Sequence, residues 1–279
     1  MSCMSSITIA KKIQDVIMMD SNVIYAFLLT LFAGLTTGVG SIIGLFVPRK
    51  NTQFLSVALG FSAGVMLYIS FIEMFANAQE YLTVAFGEIG GIWVTCGAFF
   101  FGMILIMVID NLIPSPESDL TAQKTGQHSS GLERMGILTA LAIAIHNFPE
   151  GLATFASTLD DVSLGLAIAV AIAIHNIPEG IVTSVPIYHA TGNKKKAFFI
   201  SLFSGLTEPL GAVIGYLILR PFLSDTVYGI IFGGIAGIMV YIAIEELIPM
   251  AREYDKGNSM ILGCIAGMVI MAISLIMFM

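Results

Sequence analysis

Charge is what this chain has least of. Only 11% of its 279 residues are Asp, Glu, Lys or Arg, against about 25% in a soluble domain. That scarcity argues against an ordinary water-soluble globule. The chain also has no basic domain and no stacking motif, so nothing points to nucleic-acid binding. Cysteine is rare as well. Cys3, Cys96 and Cys264 are far apart and form no Cys-x-x-Cys pattern. Cys96 and Cys264 read as small apolar residues inside helices, without a redox or metal role. Met1 to Asp20 lacks a long apolar run and carries Lys11, Lys12, Asp15 and Asp20. A cleavable signal peptide is therefore not expected, and targeting falls to the first apolar segment.

What the chain has in abundance is long apolar runs. Hydrophobic residues make up 57% of it, and the mean hydropathy is +0.91. A helix needs about 20 mostly apolar residues to cross a hydrocarbon core about 30 Å thick. Eight segments qualify: Val23–Val47, Phe54–Ala76, Ile89–Ile113, Met135–Thr158, Ser163–Tyr188, Ala197–Leu219, Val227–Ile248 and Met260–Phe278. The expectation is an all-α membrane protein with eight transmembrane helices in one domain, residues 1–279. The long connector 114–134 reads as a flexible, solvated loop holding one histidine, His128. Lys and Arg set the orientation. Arg49, Lys50, Lys124, Arg134, Lys194, Lys195, Lys196, Arg252 and Lys256 fall on one side, and Lys11, Lys12 and Arg220 on the other. This places loops 48–53, 114–134, 190–196 and 251–258 in the cytoplasm of a multi-pass cell-membrane protein, with both termini outside. Glu80, Glu88, Asp160, Asp161 and Asp225 then lie in the outer loops, where their acidity mildly attracts cations.

The fourth and fifth segments share a repeat. Ala142-Ile-Ala-Ile-His146-Asn147-Phe148-Pro149-Glu150-Gly151 returns as Ala171-Ile-Ala-Ile-His175-Asn176-Ile177-Pro178-Glu179-Gly180, offset by 175 − 146 = 29 residues. Consecutive spans run antiparallel, so two copies predict a pseudo-two-fold site in the middle of the membrane. His and Glu at i and i+4 share a helix face. The facing helices then offer two imidazoles and two carboxylates, a ligand set for zinc, iron, manganese or cobalt. Asn147 and Asn176, one residue further round, offer carbonyl oxygens to a second ion. Pro149 and Pro178 deprive the carbonyls of Ile145 and Ile174 of their helical partners and predict a kink in each motif. The glycines that follow permit close packing. A charge at the bilayer centre costs about 2.5–3.5 kcal/mol on insertion scales for Asp, Lys or Arg. Two buried glutamates in matched contexts therefore call for a compensating ligand.

Glu208 repeats the acid–proline pair in the sixth segment (Ser204-Gly-Leu-Thr-Glu-Pro) and is a further candidate ligand. Glu73, Asp110, Glu245 and Glu246 lie near the ends of spans, and His189 ends the fifth; they are candidate way-stations for an ion. The 16 methionines and 19 phenylalanines are scattered and read as packing or lipid-facing residues.

At these residues the chain resembles the ZIP family of metal transporters, and the Glu-Pro of the sixth segment is similar to its bacterial branch. The resemblance covers essentially the whole chain. It implies a bundle in which the fourth and fifth spans are enclosed by two three-helix groups related by inverted symmetry. It implies import toward the cytoplasm and, in some members, two ions per protomer. Carried over by position, His146, Glu150, His175 and Glu179 form one ion site. Asn147, Asn176 and Glu208 form the adjacent one, bridged by Glu150 and Glu179. Glu246 lies in a Glu-Glu-Leu-Ile-Pro stretch similar to the family's release path. Many family loops after the third span are histidine-rich; this one has His128 alone, which puts loop-based sensing in doubt.

The expected function is transport of divalent transition metals, zinc first, with iron, manganese, cobalt and cadmium as further substrates, by alternating access. No cofactor is expected, and the partners are the metal ion and membrane lipid, with a homodimer left open. The alternative is a membrane-embedded metal hydrolase. Such enzymes usually carry His-Glu-x-x-His and keep an open coordination position. Here Asn follows each His, and the ligands are more numerous and symmetric.

Overall fold

In a bilayer an apolar run can satisfy its backbone polar groups within itself only as a helix. The computed structural model describes the backbone of residues 2–46, 52–112, 128–222, 224–255 and 257–278. It describes their side chains except at 2–20, 52, 128–136, 138, 139, 142, 146, 186, 189, 190, 219, 220 and 278. Among the described residues there are helices and no strands. They are α1 (Ser2–Phe46), α2 (Thr52–Ile69), α3 (Phe75–Asn111), α4 (His128–Asp160), α5 (Val162–Thr191), α6 (Lys194–Gly205), α7 (Thr207–Leu219), α8 (Asp225–Ile242), α9 (Ile248–Glu253) and α10 (Ser259–Phe278). Among the described residues, six stretches are long and apolar enough to cross a membrane: Ser21–Phe46, Gln53–Asn111, Val162–Val185, Lys194–Ile218, Asp225–Glu253 and Ser259–Met277.

Several boundaries differ from expectation. The helix α1 starts some twenty residues before its apolar stretch. The second and third segments join through a π-helical turn, Ser70–Met74, into one stretch of 59 residues, far too long for one crossing at 1.5 Å per residue. The chain reverses inside it at Gly87, whose φ of 74° and ψ of 168° only glycine adopts readily. Past the turn, a Cβ on Gly91 would collide with the Thr83 backbone, which eight residues of straight helix would hold far away. Helix α4 begins at His128, so the end of the expected loop 114–134 is helical; residues 48–51 and 114–127 lie outside the described residues. Both α4 and α5 remain helical through Pro149 and Pro178.

Polar connectors end the helices where their side chains cap backbone groups. The Asp161 carboxylate accepts from Leu164 N at 2.9 Å and opens α5. At the other end Gly192 closes it in the left-handed conformation, φ 66°. The Asn193 carbonyl then accepts from Lys196 N at 3.1 Å and starts α6. The single residue between α4 and α5, Asp161, makes them an antiparallel hairpin, close enough that Gly165 lies against Thr158.

Helix α5 is the axis of the fold. It packs on α1, α4, α2, α6 and α10, while α2 pairs with α10 and α3 with α8 at the periphery. Small residues bring these backbones together, as in other membrane bundles. Gly60 and Gly64 of α2 meet the carbonyls of Met260 and Cys264 in α10; Gly102 of α3 meets Gly234 in α8. Cys264 is accordingly a buried packing residue. The outer faces of α3, α7 and α10 carry Phe100, Phe101, Leu217, Ile218, Ile276 and Met277, all exposed. A soluble protein would bury such residues; in a bilayer this is the face that meets acyl chains.

Candidate metal centre

The interior inverts the soluble pattern: the ionisable groups are at its centre. Asn147, Glu150, His175, Asn176, Glu179 and Glu208 are all 0% exposed. A ligand atom each from Glu150, His175 and Glu179 lie within 4.8 Å of one another. Among the contacts that join α4 to α5 at this point, Glu150 Oε1 lies 3.3 Å from His175 Nε2. The i,i+4 spacing puts His175 and Glu179 on one face of α5, and the antiparallel hairpin turns that face toward Glu150. His146 occupies the matching place on α4; its side chain lies outside the described residues.

Both asparagines stand at the same centre. The Asn147 amide nitrogen, turned to its best partners, donates to Glu179 Oε2 at 3.2 Å and Ile143 O at 3.0 Å. Asn176 Nδ2 donates to Ala33 O at 3.0 Å and to Glu208 Oε1. Its carbonyl oxygen and the second oxygen of Glu208 have no hydrogen-bond partner among the described residues, and Glu150 has the His175 contact alone. Buried polar groups nearly always find partners, so a cluster in which acceptors outnumber donors has the chemistry of a cation site.

Glycine makes this assembly sterically feasible. A Cβ on Gly151 would strike the Glu208 carbonyl of α7, and one on Gly180 would strike the Thr37 carbonyl of α1. The same pairing recurs at Gly211 against Phe148 and Gly40 against Ile177, while Gly34 and Gly205 meet each other. Turned toward Glu179, Asn147 presents its amide oxygen and not its nitrogen to Ser204 O, so the donation of Asn176 to Ala33 O has no counterpart there. Thr207 donates to Ser204 O and Thr36 to Ala33 O, both at 2.6 Å. The glycine contacts of α7 with α4 at Gly151 and Gly211 thus have counterparts between α1 and α5 at Gly180 and Gly40.

Sequence reasoning missed α1 altogether as a wall of the centre. The signal was there to find. Gly34-Leu-Thr-Thr-Gly-Val-Gly40 matches Gly205-Leu-Thr-Glu-Pro-Leu-Gly211 at an offset of 205 − 34 = 171 residues. Only the motif with an acid and a proline attracts notice.

The other candidates stand apart from the centre. Glu73, half-buried in the π-helical turn Ser70–Met74, accepts from Asn77 Nδ2 at 3.0 Å. Asp110 accepts from the Tyr241 hydroxyl at 3.3 Å. Glu245 and Glu246 occupy a second π-helical turn, Ala243–Leu247, which interrupts the stretch from α8 to α9. His189 and His128 have side chains outside the described residues. Of the expected outer acids, Glu80 and Asp225 line a cavity of about 210 Å³ with Asn77, Tyr81 and Val84. Nearby, the Tyr81 hydroxyl donates to Asp160.

A bundle of apolar helices enclosing a nitrogen- and oxygen-rich acceptor cluster is the architecture of a membrane protein that handles cations. Comparison with known proteins makes this specific. The ZIP zinc transporter family model matches residues 114–275, more than half of the chain. The zinc transporter ZupT of Lysinibacillus sphaericus is 55% identical over 267 residues, covering 93% of this chain and 99% of that protein. ZupT of Streptococcus mutans is 55% identical over 263 residues (93% and 100%), and that of Nitratidesulfovibrio vulgaris 52% over 273 residues (93% and 99%). The chain belongs to the ZIP zinc transporter family. It is a multi-pass membrane transporter of metal ions and not an enzyme, which sets aside the hydrolase alternative.

Proposed function

We propose that this transporter moves zinc, with iron, manganese, cobalt and cadmium as further substrates, into the cytoplasm through a centre formed by His146, Asn147, Glu150, His175, Asn176, Glu179 and Glu208. The observation that carries this reading is the convergence of Glu150, His175 and Glu179 within 4.8 Å, fully buried. A hydrated divalent ion entering there exchanges waters for imidazole and carboxylate, and its charge offsets the cost of burying three glutamates. A second ion would bind beside the first, at Glu208 and the Asn176 carbonyl, which extend the acceptor cluster beyond the first three ligands.

Eight crossings fit the helices. The reversal at Gly87 divides the 59-residue stretch in two, and α4, at 33 residues, is long enough for a crossing of its own. Inverted symmetry is supported by the paired contacts of α7 with α4 and of α1 with α5. Rocking of the flanking groups about α4 and α5 would expose the centre to one side and then the other. Glu73 and the cavity between Glu80 and Asp225 would serve the outer approach, with Asp110, Glu245, Glu246 and His189 on the inner one. The lysine- and arginine-rich loops face the cytoplasm.

The test is metal flux into liposomes holding the purified protein, beside the double variant Glu150→Ala, Glu179→Ala. Flux of zinc in the wild type and none in the variant is expected. Undiminished flux in the variant would remove the proposed centre.

A further inference from the structure

Buried threonines in these helices have a consistent habit. Thr30, Thr95, Thr154, Thr158 and Thr183 each donate the hydroxyl to the carbonyl four residues back, at 2.6 to 3.1 Å. Thr37 of α1 does not. It is 0% exposed, yet its hydroxyl has no hydrogen-bond partner among the described residues. The carbonyl it would ordinarily use is Ala33 O. That oxygen already accepts from Asn176 Nδ2 at 3.0 Å and from the Thr36 hydroxyl at 2.6 Å, which it shares with Ala173 O at 2.9 Å. The neighbours of Thr37 have taken its normal acceptor and left its hydroxyl to something else.

Its place in the fold says what. The backbone of Thr37 lies under Gly180, next to Glu179, and its side chain lies against Gly205, three residues before Glu208. In the local repeat of α1 with the α6–α7 segment, Thr37 stands where Glu208 stands, 208 − 37 = 171 residues on. The surroundings correspond in part: the Ser204 carbonyl, four residues before Glu208, likewise accepts from a threonine, Thr207, at 2.6 Å. The partner of Thr37 in this arrangement is a carboxylate in the metal centre, with one oxygen on Asn176 and the other unpartnered.

We propose that Thr37 belongs to the metal centre: its hydroxyl oxygen is offered to the transported divalent ion from α1, at the position related to that of Glu208 across the centre. This deepens the function proposed above and rests on it. A hydroxyl is a neutral, hard oxygen donor. One half of the centre thus presents a charged oxygen and the other an uncharged one. The carboxylates number three rather than four, so the negative charge of the centre falls mainly on the α4, α5 and α7 side and not on α1.

Two kinds of variant test this in purified full-length protein, with zinc as the probe. Thr37→Val and Thr37→Ala both remove the oxygen, and the second cannot overpack. Each is expected to weaken zinc binding in calorimetry and raise the KM of zinc flux about tenfold, with Thr37→Ser restoring both. Thr37→Asp turns the centre into one with four carboxylates. Zinc is then expected to raise its melting temperature by more than it raises that of the wild type, because the ion neutralises the added charge. If the Val and Ala variants match the wild type in affinity and KM, Thr37 is a packing residue and the proposal falls. It also falls if zinc gives Thr37→Asp no extra stabilisation. Failure of the underlying site is a different result: Glu150→Ala, Glu179→Ala protein would then bind and carry zinc as the wild type does.

Discussion

Helix α5 and helix α10 have similar apolar lengths but opposite surroundings. Of an 18-residue window in Val162–Val185, 78% is buried, against 33% in Ser259–Met277. The sequence of α10 is the more hydrophobic of the two, yet it lies outside. Hydrophobicity drives a helix into a bilayer but does not draw it to the middle of a bundle, because lipid is as apolar as any core. What places α5 at the centre is its polar and small residues. His175, Asn176 and Glu179 find their partners on neighbouring helices, and Gly180 lets the α1 backbone come close enough to supply the carbonyl that Asn176 uses.

Changes at the polar centre test the contrast most severely. The double variant Glu150→Ala, Glu179→Ala is expected to abolish zinc flux in liposomes while the protein still folds, since it removes buried charge and leaves small residues. A protein that no longer folds would mean that the two glutamates hold α4 and α5 together. Next in size is Gly180→Val. Its side chain would press into the Thr37 backbone, and overpacking of this kind costs about 1–3 kcal/mol. A lower melting temperature in detergent is the readout, and an unchanged one would deny the close α1–α5 approach. The third effect is on pH. Imidazole and carboxylate must be deprotonated to bind metal, so protons compete with zinc. Uptake is expected to decline as the pH falls through and below about 6.5, the ordinary histidine range, when measured at fixed free zinc. A flat profile well below that range would argue against histidine ligands. The smallest change belongs to the periphery. Ile276→Ala on the exposed face of α10 is expected to alter stability by no more than about 0.5 kcal/mol, with zinc flux unaltered.

The metal centre was legible in the sequence to the extent that it repeats itself nearby. Two His-Asn-x-Pro-Glu-Gly copies 29 residues apart declare a facing pair, because a short connector forces consecutive spans to be antiparallel. The structure buries Asn147, Glu150, His175, Asn176, Glu179 and Glu208, and brings ligand atoms of Glu150, His175 and Glu179 within 4.8 Å of one another. Glu208 was found from its proline; Thr37, its counterpart, was passed over because a threonine in an apolar run looks ordinary. The helix ends were less legible. Gly87 carries the reversal between the second and third segments, but a glycine inside an apolar run gives no sign that its φ is positive. Glu73 and Glu245–Glu246 were read as boundary acids, without any hint of the π-helical turns that hold them.

By itself the sequence determined that the chain is helical and membrane-embedded, because runs of this length and hydropathy have no other way to satisfy their backbones. It also determined which acids and histidines cannot sit in lipid unaided. Only the tertiary structure decided how they are answered. The partner of Asn176 is a backbone carbonyl in α1, 143 residues away, and a carbonyl has no signature in a sequence. The freedom of the Thr37 hydroxyl depends on that same carbonyl being occupied. Both are consequences of helices meeting at glycines, and where two helices meet is settled by the whole bundle at once.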